Sequence, residues 1–472
     1  VSIRALDRLA WGADAPWRAS WLLRFGFPAL ALTSTFAWFI PYTVATAAGA
    51  ALAVALLLAI PILWREGYTW MVLWLAPIAA FDPVPTQGLR AAKYVLLAAA
   101  IAVALAKRQL TSPVPGRFDA RAAWPSVVLL AWLHLTALFG RAPLAGALEA
   151  GRLTLVAGLV YLWLSETPRR GCRRYYFALW MVMAAFQVSV CIVEATALGA
   201  LRSYGTFPNA NAMGAYLVIT GGLCYAAAIN ATRRGRRIGL WIFFAALFFA
   251  LYLTGSRAAW LALALGLLVT AGVARHWRSL AVGLLLIVAA SVVYLTQPMF
   301  QLATNAALRF QTGLTHRPLL WEAADRAALK VPLWGYGLEA TGEAMSKEAR
   351  YPSDILRSIL APMVGAGNPH NFYRELHLET GAIGLALFAA AVFAILRCAW
   401  RNRRSADRDR RVFALALLGV TVGLLVHAYF ERSLFLGSMS SAIFYWFVVA
   451  QVLREDEPDA LPATAAGAAG PS

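Results

Sequence analysis

The sequence predicts an all-α polytopic membrane protein with about twelve (twelve to fourteen) transmembrane helices and one long outward loop. Three observations predict it. Of 472 residues, 61% are apolar and only 14% are charged, against roughly 45–50% and about 25% in a soluble globular domain. The apolar residues fall in continuous runs, most of them near the ~20 residues that a helix needs to cross a bilayer. These runs do not alternate apolar with polar, which excludes the strands of a membrane barrel.

In chain order the runs lie at about 22–40, 43–64, 68–81, 89–106, 122–139, 147–164, 174–198, 211–230, 238–254, 258–274, 279–296, 378–397, 411–430 and 438–453. The third is short, and Pro28, Pro61 and Pro77 interrupt others, so paired half-helices bring the range down to twelve. The chain divides into N-terminal membrane helices over 1–296, a long loop over 297–377, C-terminal membrane helices over 378–453 and a low-complexity tail over 454–472. A loop of that length is too long for a connector, and long loops on a rigid scaffold carry function.

Charge gives the orientation. There are 42 Lys and Arg against 23 Asp and Glu, a net charge of +19. With the N-terminus placed in the cytoplasm, 27 of the 42 fall on inside connections, among them the short RRGCRR and RRGRR loops, as the positive-inside rule requires. Both termini are then cytoplasmic. Division of the basic residues among short loops argues against nucleic acid as a partner. Residues 1–24 carry four Arg and no small-residue cleavage pattern, so no cleavable signal peptide is expected. The four cysteines form no CxxC pair and suggest neither a disulfide framework nor a zinc site.

The outward charges are more informative. Arg, rather than Lys, suits bidentate recognition of phosphate. Three segments join a basic or capping residue to the outer start of a helix. In TGSRAAWLAL (254–263), Thr254 or Ser256 can cap a helix with Arg257 in its first turn. In RSYGTFPNANAMGAYL (202–217), Gly205, Pro208, Asn209 and Asn211 make a turn and cap beside Arg202. In NPHNFYRELHLETGAIG (368–384), Pro369 and Asn371 start a third helix. Free amides and the dipole at such ends favour an anion. If the third helix begins at or before His370, then His370, Arg374 and His377 share one face within about 60°. Histidine can accept a proton at neutral pH. Arg141 and Arg152 are further outward cations.

Absences narrow the chemistry. The sequence has no P-loop, no dinucleotide fingerprint and no outward acidic or His/Glu cluster with metal-ligand spacing, so neither nucleotide nor metal is expected. Glu194 is the single acid placed mid-span, which argues against an ion-coupled pump. It is expected to pack inside the bundle and bond locally.

His370 and Asn371, then nine residues, then Gly381-Ala382-Ile383-Gly384 resembles the signature of bacterial O-antigen ligases. GTFPNAN (205–211), TGSRAAWLAL (254–263), HRPLLWEAA (316–324) and LWGYGLEA (333–340) resemble other stretches of the O-antigen ligase/polymerase superfamily, in family order. The resemblance implies a metal-independent, inverting glycosyltransferase of the GT-C class in the bacterial inner membrane, with a periplasmic active site and no nucleotide cofactor. Its donor would be O-antigen on undecaprenyl diphosphate, and its acceptor a sugar hydroxyl of lipid A–core. It implies His370 as general base and Arg257 and Arg317 as the arginines that stabilise the leaving diphosphate. Arg141, Arg152, Arg202, Asn371 and Arg374 are further candidates around the substrate. Glu431 is the nearest match to a functional acid late in the family's chains, and Gly381 and Gly384 are read as permitting close helix packing. An O-antigen polymerase or a protein O-oligosaccharyltransferase shares most of these stretches. A lipid or polysaccharide transporter fits less well.

Overall fold

The computed structural model describes residues 117–165, 172–197, 202–279 and 317–455 apart from 206, 208, 352, 353, 366, 368 and 432–439, with isolated positions at 98–106, 200 and 281. The spans expected at 22–40, 43–64 and 68–81, most of those at 89–106 and 279–296, and the tail beyond 455 lie outside the described residues.

Within them the protein is all-helical, its one bridge being an isolated pair between Phe118 and Arg454. The helices are α1 (Ala120–Phe139), α2 (Pro143–Ser165), α3 (Cys172–Thr196), α4 (Ala210–Ile229), α5 (Arg234–Thr254), α6 (Arg257–Val273), α7 (Arg317–Ala328), α8 (Thr341–Glu348), α9 (Asp354–Gly365), α10 (Phe372–Asn402), α11 (Arg408–Ala428) and α12 (Ser440–Leu453). Seven of these are long and apolar enough to cross a membrane: α1 to α5, α10 and α11. Two shorter apolar helices, α6 and α12, pack among them. Together with the sequence this is an all-α polytopic membrane protein.

The bundle is organised around α4, which is buried along nearly its whole length. Its sequence, ANAMGAYLVITGGLCYAAAI, has no charged residue and many small ones. That composition lets neighbouring backbones approach where lipid offers no hydrophobic drive for association. α4 is packed by α3, α5, α6, α11 and α12. The tightest pair is α6 with α11. A Cβ on Gly266 would lie 2.8 Å from the Gly419 carbonyl oxygen, and one on Gly423 would lie 2.4 Å from that of Ala262. Thr270 donates its hydroxyl to the Gly266 carbonyl at 3.0 Å, filling the same crossing. At the far end, buried Arg173 clamps three segments. It pairs with Asp407 at 2.6 Å and donates to the carbonyls of Gln451 and Arg454.

The opposite end carries the site. There α7, α8 and α9 form a small cap with its own core of Leu320, Ala324, Ala327, Tyr336, Met345 and Val364, closed by Leu378 of α10. The cap is joined to the bundle through a break in α10. Gly381 has φ 68° and ψ −172°, a region open to glycine alone, so residues 372–380 and 382–402 are two helical segments. The backbone groups freed by the break are taken up by the segment 332–337. The amides of Tyr336 and Gly337 donate to the carbonyls of Leu378 and Glu379 at 2.6 and 2.9 Å, and the Ala382 amide donates to the Pro332 carbonyl at 2.8 Å. A Cβ at Gly381 would lie 2.0 Å from the Leu333 carbonyl oxygen. The sequence reads Gly381 as a packing glycine, whereas its role is to turn the chain. At Gly384 a Cβ would lie 1.8 Å from the hydroxyl of Thr380, four residues earlier in α10, so the glycine makes room for that side chain rather than for a second helix.

Gly381→Ala is therefore expected to cost at least about 1–3 kcal/mol from the backbone alone, seen as a lower unfolding temperature in detergent. Gly239→Ala, in a helix interior with nothing within 4 Å of the new methyl, should leave that temperature unchanged or raise it. Equal behaviour of the two variants would refute the break as a structural requirement.

Candidate functional site

Four segments from distant parts of the chain meet at the cap end of the bundle, and Glu431 joins them. Its Oε1 accepts from Arg317 at 2.8 Å and from the Asn211 side-chain amide at 2.7 Å. Its Oε2 lies 3.6 Å from Nδ1 of His370, an ion-pair distance. Its carbonyl accepts from the Phe372 amide at 3.2 Å. The Glu431 side chain is only 11% exposed. Burial raises its pKa, but His370, His427 and Arg317 outweigh that and hold the carboxyl below its ordinary value. A buried carboxylate is tolerated only with such partners.

Each partner is placed by a local rule. Asn209 caps α4, its side chain accepting from the amides of Asn211 and Ala212 at 3.0 and 2.9 Å. Asn211 is thereby fixed in the first turn, where its amide reaches Glu431 and its oxygen accepts from Arg202 at 3.1 Å. Arg202 also donates to the Thr254 carbonyl at 2.9 Å, which ties the α5–α6 turn to the same place. Gly255 takes a left-handed conformation in that turn, and Arg257 is the first residue of α6. Ser256 holds the N-cap position without a side-chain cap bond, and the Thr254 hydroxyl accepts from the Ser256 amide at 3.2 Å instead. Glu194, placed mid-span by the sequence, instead lies in the last turn of α3 and accepts from the amides of Tyr204 and Gly205 at 2.9 and 2.8 Å. It shapes the loop that carries Arg202.

His370 lies before α10, not on it. The helix starts at Phe372, with Asn371 as its cap, so the shared face of His370, Arg374 and His377 does not form. His370 has φ 49°, a left-handed conformation rare for a residue with a side chain and frequent at functional sites. The strain is held from both sides. The Trp321 indole donates to the Pro369 carbonyl at 3.0 Å. Asn371 accepts from the Arg374 amide at 3.1 Å and donates to the Tyr429 carbonyl at 2.9 Å. Arg317 opens α7 and also donates to the Phe430 carbonyl at 2.6 Å.

The structure thus brings together His370, Asn371, Arg317 and Arg202, with Arg257 one short turn away in the chain. The remaining candidates make contacts of other kinds. Both arms of Arg374 engage Asp325, at 2.8 and 3.0 Å, and its guanidinium lies over the Trp321 ring. Arg141 lies over Tyr336, 3.9 Å from Glu343. Arg152 pairs with Glu149 on its own helix at 3.1 Å. His377 meets the Pro332 carbonyl at 3.2 Å. Two members were underrated by the sequence. Asn211 reads there as a capping residue, and Glu431 as a loose match with no stated partner. Among the described residues, no three His, Cys, Asp or Glu side chains gather as a metal-ligand set.

The arrangement has a basic ring facing a buried carboxylate, with cationic side chains at the rim, a geometry suited to orienting an imidazole and to meeting an anion. Two outcomes check it. Asn371→Ala should lose about 1 kcal/mol for the cap alone, read as a lower unfolding temperature. The second concerns pH. A carboxyl held below its unfolded pKa contributes stability that is fully present above the unfolded value and is lost as pH falls through the folded one. The stability difference between the protein and Glu431→Gln should hold constant near neutrality and shrink only below the ordinary carboxylate range. A difference that already shrinks near pH 6 would contradict the ionised, paired carboxylate.

No curated protein matches the chain. Residues 242–389, which run from α5 through Arg257, Arg317, His370 and the break at Gly381, match the family profile described as O-antigen ligase. The match spans about a third of the chain and is a likeness of that segment to the O-antigen ligase family; Arg202, Asn211 and Glu431 lie outside it.

Proposed function

We propose that the protein is an O-antigen ligase, moving O-antigen polysaccharide en bloc from undecaprenyl diphosphate to a sugar hydroxyl of lipid A–core at the periplasmic face of the inner membrane. The observation that carries this reading is the pairing of His370 with Glu431 beside Arg317, within a chain whose central segment matches the O-antigen ligase family.

In this reading the acceptor hydroxyl gives its proton to Nε2 of His370. Its oxygen forms a bond to the anomeric carbon as the bond from that carbon to the diphosphate breaks, and the electron pair leaves with undecaprenyl diphosphate. Glu431 holds the ring through Nδ1 and offsets the imidazolium charge that develops. A general base contributes roughly 10²–10⁴ in rate. Negative charge grows on the leaving diphosphate, and fixed cations aimed at it supply the larger effect. Arg317 spends two of its donors on Phe430 and Glu431, and a guanidinium has five. Its remaining donors, with Arg257 and Arg202, are assigned to the diphosphate. Arg141, which lies over Tyr336 of the cap, and Arg152 are assigned to outer parts of donor or acceptor. Arg374 is assigned to holding α7 against α10. Energy comes from the glycosyl diphosphate bond, so neither nucleotide nor metal is required.

The test is transfer in vitro from lipid-linked O-antigen to lipid A–core, with chelator present. His370→Ala should fall by about 10²-fold or more with membrane insertion intact, and normal turnover would overturn the base assignment. Arg317→Lys should also lose activity, because one ammonium cannot bond Glu431, the Phe430 carbonyl and a phosphate in a planar fork. Elongation of the lipid-linked glycan in place of transfer to lipid A–core would identify a polymerase instead.

A further inference from the structure

The cap contains a segment, residues 329–334, that the sequence assigns wholly to the aqueous loop. Among the described residues of the cap, the exposed large apolar side chains are Leu329, Leu333 and Trp334, at 79%, 55% and 62% exposure. All three fall within six residues. One exposed charge, Lys330, lies within the stretch and is paired with Glu348; the other exposed charges around it, Glu322, Asp325, Glu339, Glu343, Lys347 and Arg350, lie outside it.

Depth follows from a ring contact. Trp334 packs on Trp132 with centroids 5.5 Å apart. Trp132 belongs to α1, whose 20 residues span about 30 Å, the thickness of the hydrocarbon core. Trp132 precedes the outer end of α1 at Phe139 by seven residues, or roughly 10 Å along the axis. Trp334 therefore sits well below the end of a membrane-spanning helix, with most of its surface open. The surroundings agree, since the α1–α2 hairpin exposes Leu138, Phe139, Leu144 and Leu148 and the Arg141 amide is bonded to the Tyr336 carbonyl.

Irregular backbone at membrane depth requires partners for its polar groups. Here several are present. The Pro332 and Leu333 carbonyls accept from Ala382 and Ile383, the Gly335 amide donates to Val331, and the Tyr336 and Gly337 amides donate to Leu378 and Glu379. Proline supplies no N–H at 332. The broken helix takes up the Pro332 and Leu333 carbonyls, two polar groups that would otherwise be costly in lipid.

We propose that residues 329–334 are a re-entrant insert that dips into the site-side half of the bilayer, with Leu329, Leu333 and Trp334 in contact with acyl chains. The cap is then anchored in lipid rather than standing free in water, and Lys330, paired with Glu348, lies at the headgroup border. The break at Gly381 gives the insert its backbone partners, so the two features depend on each other.

Spin labels placed by Leu329→Cys and Leu333→Cys, in a Cys172→Ser background with the other three cysteines buried, test this in liposomes. Ser346→Cys, on the exposed face of α8, is the water-facing reference. The expected result is that a water-soluble nickel chelate reaches Leu333→Cys about fivefold less than Ser346→Cys while oxygen reaches it more, as in hydrocarbon. Chelate access at Leu333→Cys equal to the reference would overturn the proposal. A second measurement uses the unmodified chain. Phospholipid carrying a photoreactive group at mid-acyl position should label the peptide containing 329–334, and absence of label there, with the spans labelled, would also overturn it.

Discussion

The buried carboxylate of Glu431 is the constraint on which the site depends. Desolvating it costs several kcal/mol unless charge and hydrogen bonds replace the lost water. The replacements come from the start of α4 (Asn211), the start of α7 (Arg317) and the residue before α10 (His370). None of these segments is near another in sequence. The Glu431 backbone is drawn in as well, through the Phe372 amide. One ionised group therefore ties the start of α7 and His370 to the end of the bundle, alongside the backbone bonds that join 332–337 to the break in α10.

The fold was legible because its signal is composition and length. From 122–139 onward, the observed helices of the bundle begin and end within a few residues of the apolar runs, with one exception. α10 extends from Phe372, six residues before its apolar run begins, because the polar stretch FYRELH is capped by Asn371 and pinned by cap contacts rather than by lipid. Hydropathy cannot detect a helix stabilised in that way. Nor can it detect the break at Gly381. A glycine inside an apolar run fits close packing and a left-handed turn equally well, and only the approach of Leu333 decides between them.

The site was legible in part. His370, Asn371, Arg202 and Arg317 stand out as outward polar residues in motif-like stretches, and they do converge. The convergence itself was hidden, since Asn211 and Glu431 are 220 positions apart. Residue type also misled. An outward Arg looks the same in sequence whether it faces a ligand or, as Arg374 does, forms a two-armed pair with Asp325. The shared helical face of His370 and Arg374 failed for a backbone reason, the left-handed turn at His370, which periodicity does not record.

That turn also explains why the histidine is strained rather than placed in the first helical turn. On α10, its ring would follow the helix surface, and its direction would be set by the helix axis. Before the helix, between the Pro369 carbonyl held by Trp321 and the Asn371 cap held to Tyr429, its direction is set by the loop that contains Glu431. Strain of order 1–3 kcal/mol at one residue is small beside the partners that the Glu431 carboxylate needs. The ring is thus oriented by the acid that would stabilise its protonated form, so a single interaction serves both placement and charge.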